Sequence, residues 1–152
     1  MGSSSVKKLT HAQIGKAGEL LVQYRLLLMG VESSQMTTDT GIDLVAFLPE
    51  SKTALTIQVK TNLRPKPGGG KGAPALDWWV PCTTPADLVA LVDLQSQQVW
   101  ALKPEELAGM AQQKSGGRWH FYVYTQATSV RARKPWSTLP ELETFLLQNR
   151  SL

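Results

Sequence analysis

A single cysteine, Cys82, among 152 residues leaves no internal disulfide, and two histidines, His11 and His120, cannot complete a conventional zinc cluster. No apolar run approaches the ~20 residues of a membrane-crossing helix. Lys7 and Lys8 are not followed by the apolar core of a signal peptide. Val6 stands where a myristoylation signal wants Ser or Thr. These absences predict a cytoplasmic protein with no membrane partner. Charge is also modest: 16 basic and 12 acidic residues give a net +4 and a pI near 9.3, a slight lean towards a polyanionic partner. The basic residues fall in two groups, Arg64, Lys66 and Lys71 in one and Arg131, Arg133 and Lys134 in the other. Each group is either solvated surface or a set of phosphate contacts.

What is present suits one domain over 1–152, since 42% of the residues are hydrophobic. Thr10 to Met29 predicts a helix, with Thr10 and Gln13 spaced as a capping box and Gly30 just past its end. Ile14, Ala17, Leu21, Tyr24 and Leu28 predict its buried stripe. A second line, Gly15, Glu19, Val22, Leu26 and Met29, is also apolar except for Glu19. That carboxylate either reaches water at the rim or has a partner or a cation. A helix apolar on several sides cannot be covered by one core, so a homo-oligomer, dimer or tetramer, is expected.

Val31 to Gln35 predicts a short strand and Ile42 to Thr61 a hairpin. Asn62 to Ala75 holds three consecutive glycines among prolines and predicts a long mobile loop. Its Gly-Gly-Gly-Lys lacks phosphate-loop spacing, and no helix pattern follows. Strands are expected at "LDWWVPC", "ADLVALVDL", "QQVWAL" and "GGRWHFYVY". A short helix should start at Pro104 and run through "EELAGMAQQ", and a last one, capped by Thr138 with Pro140 and Glu141 in its first turn, should run to about Arg150. The order predicts a layered α/β or α+β domain.

A turn at Pro49 to Lys52 sets Leu48 opposite Thr53, Ala46 opposite Leu55 and Leu44 opposite Ile57, one apolar face in a single register. The other face turns polar at its far end, where Asp43, Gln58 and Lys60 converge. They form either a cross-strand ion pair bridged by Gln58 or part of a site. If the first helix packs on this hairpin, Glu19 can approach Asp43. Two carboxylates together call for a divalent cation, and oxygen ligands suit Mg²⁺. A metal beside a lysine fits phosphodiester hydrolysis.

Glu19 on the opening helix, Gly41-Ile42-Asp43-Leu44 entering a strand and Gln58-Val59-Lys60-Thr61 on the next resemble the PD-(D/E)XK nuclease superfamily. The variant is the Q-x-K one of bacterial homing endonucleases associated with group I introns. Ile42 replaces the motif proline, and Gln58 replaces the usual acid. The resemblance implies a restriction-endonuclease-like mixed central sheet flanked by helices. It also implies a Mg²⁺- or Mn²⁺-dependent DNA endonuclease of homing, restriction or repair type. Asp43, Glu19 and the Val59 carbonyl would be metal ligands, and Gln58 would ligate or orient water. Lys60 would be the motif lysine. Arg64, Lys66, Lys71, Arg131, Arg133 and Lys134 would meet DNA, with duplex expected. The alternative is a catalytically degenerate nucleic-acid- or partner-binding module on the same fold, which Gln58 favours. Tryptophans 78, 79, 100, 119 and 136 leave an interaction domain open, but strand tryptophans are commonly packing residues. Asp39 is expected as a turn residue, His120 as structural, His11 as exposed and Cys82 as an inert thiol.

Overall fold

The computed structural model describes residues 7–38, 40–126 and 139–149. In chain order its elements are α1 (His11–Leu28), β1 (Glu32–Gln35), β2 (Leu44–Leu48), β3 (Thr53–Asn62), β4 (Lys66–Pro67), a 3-10 turn (Gly68–Gly70), β5 (Pro74–Pro81), β6 (Leu88–Asp93), β7 (Gln98–Leu102), α2 (Pro104–Met110), β8 (Gln113–Ser115), β9 (Arg118–Tyr124) and α3 (Leu142–Gln148). They form a five-stranded sheet, ordered β1-β2-β3-β6-β7, and a four-stranded sheet, ordered β4-β5-β9-β8. The first sheet is mixed, because β3 runs antiparallel to β2 and parallel to β6.

The capping box forms as its spacing predicts. Thr10 Oγ1 accepts from the Gln13 N–H at 3.2 Å, and Gln13 Oε1 accepts from the Thr10 N–H at 2.9 Å. Gly30, at φ 77°, then turns the chain into β1. The buried stripe of α1 is not the first line named above. Gly18, Val22 and Leu26 are buried, whereas Tyr24 and Leu28 are 58% and 70% exposed. Val22 and Leu26 of the second line are selected instead, together with Gly18, which neither line contains and which lets the helix come close to the sheet.

Every residue of β6 is buried, because the first sheet is covered on both faces. Leu88, Ala90 and Val92 meet Val22 and Leu26 of α1 and Leu142, Phe145 and Leu146 of α3. Val89 and Leu91, with Trp100 and Leu102 of β7, meet Leu76, Trp78 and Val80 of β5 and Phe121 and Val123 of β9. Each large apolar side chain buried here contributes about 1.5–3 kcal/mol. Arg25 links α1 to α3: Nη2 donates to Glu143 Oε2 at 2.7 Å, Nε donates to Oε1, and Nη1 donates to the Gln97 carbonyl at 2.9 Å. The Glu143 hydrogen bonds hold the guanidinium above its ordinary pKa against the opposing effect of burial.

Three expectations are corrected. Residues 62–75 are not one loop: β3 runs through Asn62, and β4 pairs with β5 around the 3-10 turn, closed by Gly68 N–H to Ala73 O at 2.9 Å. Gln113 belongs to a strand, β8, paired with β9, and not to the helix at Pro104. The last helix begins at Leu142, because the Pro140 carbonyl accepts from Ala101 N–H and Glu141 bridges to Trp100. Thr138 lies outside the described residues.

Candidate active site at the open edge of β3

The hairpin adopts the register that alternation dictates, with Leu44 opposite Ile57, Ala46 opposite Leu55 and Leu48 opposite Thr53. The two strands differ in length, and that difference makes the site. β2 has five residues and β3 has ten. β2 covers only Thr53 to Ile57, while β6 covers the other edge from Ile57 to Asn62. From Gln58 onward β3 therefore has one strand partner, and its other edge opens where the chain enters β2.

Asp43 stands at that edge. Its N–H donates to the Ile57 carbonyl at 2.9 Å, and its carbonyl accepts from the Met36 N–H at 2.9 Å. Its Oδ2 accepts from the Val59 N–H at 2.6 Å, so a carboxylate takes the place of a ladder carbonyl. An extended residue points its N–H and C=O to the same edge, so the Val59 carbonyl faces the Asp43 side. Gly41, at φ 85°, brings the entering loop against Pro85 and Gln58; an added Cβ would lie 2.9 Å from Pro85 Cδ and 3.9 Å from Gln58 Nε2.

Gln58 is 5% exposed, and its Oε1 has no hydrogen-bond partner among the described residues. A buried amide oxygen left unpaired costs about 1–3 kcal/mol. Lys60 lies two residues on, on the same face of β3 and half-buried, with no ion pair or hydrogen bond among the described residues. The cross-strand ion pair bridged by Gln58 is thus not formed. Gln58 and Lys60 face the second sheet, and Asn62 on the same face ties β3 to β5 through Nδ2 to Asp77 O at 2.6 Å.

Glu19 comes from the opposite face. Gly18 lets α1 rest on Thr61 so closely that a Cβ there would fall 1.8 Å from Thr61 Oγ1. Glu19, the next residue, is 18% exposed at its side chain and pairs with Lys16 Nζ at 2.7 Å. Lys16 also donates to Gln35 Oε1 at 3.0 Å. This partner, one helical turn back, answers the question that Glu19 raised on an apolar line.

The Asp43 carboxylate and the Val59 backbone therefore meet at one edge, and Gln58 and Lys60 flank Val59 along the strand on the face towards the second sheet. Glu19 is held by Lys16 on the other side of the sheet. The Asp43 carboxylate, the Val59 carbonyl and Gln58 Oε1 are all oxygen donors of the kind a hard divalent cation takes, and Gln58 Oε1 has no other partner among the described residues. No cluster of three His, Cys, Asp or Glu side chains that could hold a metal occurs among the described residues, so such a site carries fewer charges than an all-carboxylate cage. Arg64 and Lys71 are exposed beyond the end of β3, and Lys66 lies on β4. Asp39, Arg131, Arg133 and Lys134 lie outside the described residues.

A mixed central sheet flanked by helices, with a hairpin opening at its polar end, is a nuclease-like α+β fold. Among solved structures, that of the bacterial homing endonuclease I-Ssp6803I matches with a TM-score of 0.61, over 94% of this chain and 96% of that one, at 16% identity. The shared fold is homing-endonuclease-like. No family model and no curated protein matches the sequence.

Proposed function

We propose that the chain is a metal-dependent DNA endonuclease of the PD-(D/E)XK type in its Q-x-K form, with its centre at Asp43, Gln58, Val59 and Lys60. The observation that carries the reading is the buried Gln58 Oε1, without a hydrogen-bond partner among the described residues, one position before the Val59 N–H that anchors the Asp43 carboxylate. Asp43, Gln58 and the Val59 carbonyl would hold Mg²⁺ or Mn²⁺, which would supply Lewis acidity and lower the pKa of a water. The Val59 N–H fixes the Asp43 carboxylate, so it needs no reorganisation when DNA arrives. Lys60 puts a positive charge where a scissile phosphate gains negative charge. Glu19 joins through its second oxygen or through water once Lys16 yields. Arg64, Lys66, Lys71, Arg131, Arg133 and Lys134 are proposed to meet the phosphates of duplex DNA, in line with the net charge of +4.

A homo-oligomer, dimer or tetramer, is part of this reading, supported by Leu20, Tyr24, Leu27 and Leu28, which leave an apolar line exposed along α1. One observation favours the alternative of a degenerate binding module: Lys16 already neutralises Glu19.

The test is cleavage of a mixed pool of duplex and branched DNA with Mg²⁺ against EDTA, for wild type, Asp43→Ala and Lys60→Ala. Metal-dependent nicking lost in both variants is expected. Calorimetry with Mn²⁺ accompanies it, and a wild type that binds no metal overturns the enzyme reading in favour of the binding module.

A further inference from the structure

A second surface lies on the far side of the second sheet from the Asp43 centre. Leu76, Trp78 and Val80 of β5 and Phe121 and Val123 of β9 are in the core. Alternation then turns Asp77 and Trp79 outward, with Arg118, His120, Tyr122 and Tyr124 beside them. The register sets Tyr124 opposite Ala75, Tyr122 opposite Asp77, His120 opposite Trp79 and Arg118 opposite Pro81. Three rings thus stand in file along β9 with an indole next to them. Trp79 and His120 stack parallel with centroids 4.1 Å apart, His120 and Tyr122 lie 5.4 Å apart, and Tyr122 meets Tyr124 edge-on at 5.9 Å. They line a depression of about 810 Å³ with Lys66 at its side.

Two features set this surface apart from ordinary sheet covering. Trp79 remains 37% exposed while Trp78, one residue away, is buried, so no described element covers this row. The cations beside the rings are Lys66, which is exposed, and Arg118, whose guanidinium sits 5.9 Å over the Trp79 ring. Among the described residues that line the face one is a carboxylate, Asp77, and it is engaged by His120 Nε2 at 3.1 Å. Cations bordering open π-faces complement a polyanion that has planar groups to offer. An acidic peptide brings the charge without the planes, and a duplex keeps its base faces stacked inside. A single strand brings both.

We propose that this outer face binds a single-stranded segment of nucleic acid, with bases on Tyr122, Tyr124 and Trp79 and phosphates at Lys66 and Arg118. The proposal does not rest on the endonuclease reading: it shares Lys66 with the duplex contacts proposed above and no residue with the Asp43 centre.

The experiment is fluorescence anisotropy of a labelled oligothymidine and of a duplex of equal length, in EDTA, across a salt series. The single strand is expected to bind more tightly than the duplex. Tyr122→Ala is expected to weaken single-strand binding about fivefold or more with the salt slope unchanged, and Tyr122→Phe to keep it. Lys66→Gln and Arg118→Gln each lower the slope of log K against log salt by about 0.7. Trp79→Ala makes the same test at an exposed ring should Tyr122→Ala fail to fold. Asp43→Ala and Lys60→Ala bind the single strand as wild type does, which separates this face from the cleavage centre. Binding no tighter than to the duplex, an equal loss on both probes in Tyr122→Ala, or loss in Lys60→Ala overturns the proposal.

Discussion

Gly18→Ala tests the contact that seats α1 on the sheet. An added Cβ would lie 1.8 Å from Thr61 Oγ1 and 2.8 Å from both Thr61 Cβ and Cγ2. Heavy atoms at rest sit about 3.5–4.0 Å apart, so the helix must lift by roughly 1.5 Å or the strand must bend. Rotating Thr61 gives no relief, because its methyl then takes the place of its hydroxyl and the branched side chain is stiff. Overpacking of this kind costs about 1–3 kcal/mol, and in some sites more, while alanine regains about 1 kcal/mol of helix propensity. The net expectation is a loss of about 1–2 kcal/mol. Gly15→Ala is the internal control: it lies in the same helix with nothing within 4 Å of its added Cβ, so it should gain about 0.5–1 kcal/mol. Urea and thermal melts of the two variants should therefore differ by about 2–3 kcal/mol, and about 2–4 °C per kcal/mol is expected for a chain of this size. Adding Thr61→Ala to Gly18→Ala removes the two outer atoms and should recover part of the loss. A Gly18→Ala variant as stable as Gly15→Ala would refute the close seating of α1, and with it the placement of Glu19 beside β3.

Arg25→Ala should cost about 2 kcal/mol in urea melts, since it removes charged hydrogen bonds joining α1 and α3 and leaves Glu143 half-buried without them. Gln58→Leu, which replaces an orphaned amide by an apolar group of similar size, should raise metal-free stability by about 1 kcal/mol while weakening Mn²⁺ binding in calorimetry. A drop in metal-free stability would mean that Oε1 has a partner within the protein. Trp100→Ala should cost about 3–5 kcal/mol by thermal melt, because the ring is buried and meets Trp78 edge-on at 5.9 Å.

The hairpin was legible in the sequence because its apolar alternation admits one register, and a slip by one residue would turn Leu44, Ala46 and Ile57 away from the core. The capping box was legible because it is a local geometry of four residues. The buried face of α1 was not, since Tyr24 and Leu28 are as apolar as Val22 and Leu26. The distinguishing signal was Gly18, a missing side chain outside both lines. The second sheet was hidden for a different reason. β5 and β9 are paired across some 40 residues of chain, and β4 is a two-residue strand between prolines and glycines, whose composition reads as loop. In the site, the shared face of Gln58 and Lys60 followed from alternation, but the Lys16 partner of Glu19 and the Val59 N–H on Asp43 did not. Charged pairs one turn apart are too common to single out, and a side chain capping a strand edge depends on where the neighbouring strand stops. Trp79 was indistinguishable from Trp78 until the strand's two faces were known.

The unequal lengths of β2 and β3 also bear on how the chain folds. α1, β1, β2 and the first half of β3 make mostly local contacts, which form quickly. The second half of β3 must wait for β6, whose first residue, Leu88, lies 26 positions beyond Asn62. During synthesis at ~5–20 residues per second, that interval leaves a bare strand edge in an otherwise assembled N-terminal unit for a second or more. Such an edge invites pairing with a neighbouring nascent chain. The Asp43 carboxylate shields the opposite edge at Val59 with a charge that no incoming strand can pair with. The same carboxylate that anchors the candidate centre would then act earlier in the life of the molecule, closing one edge of β3 to misassembly while the edge awaiting β6 stays open.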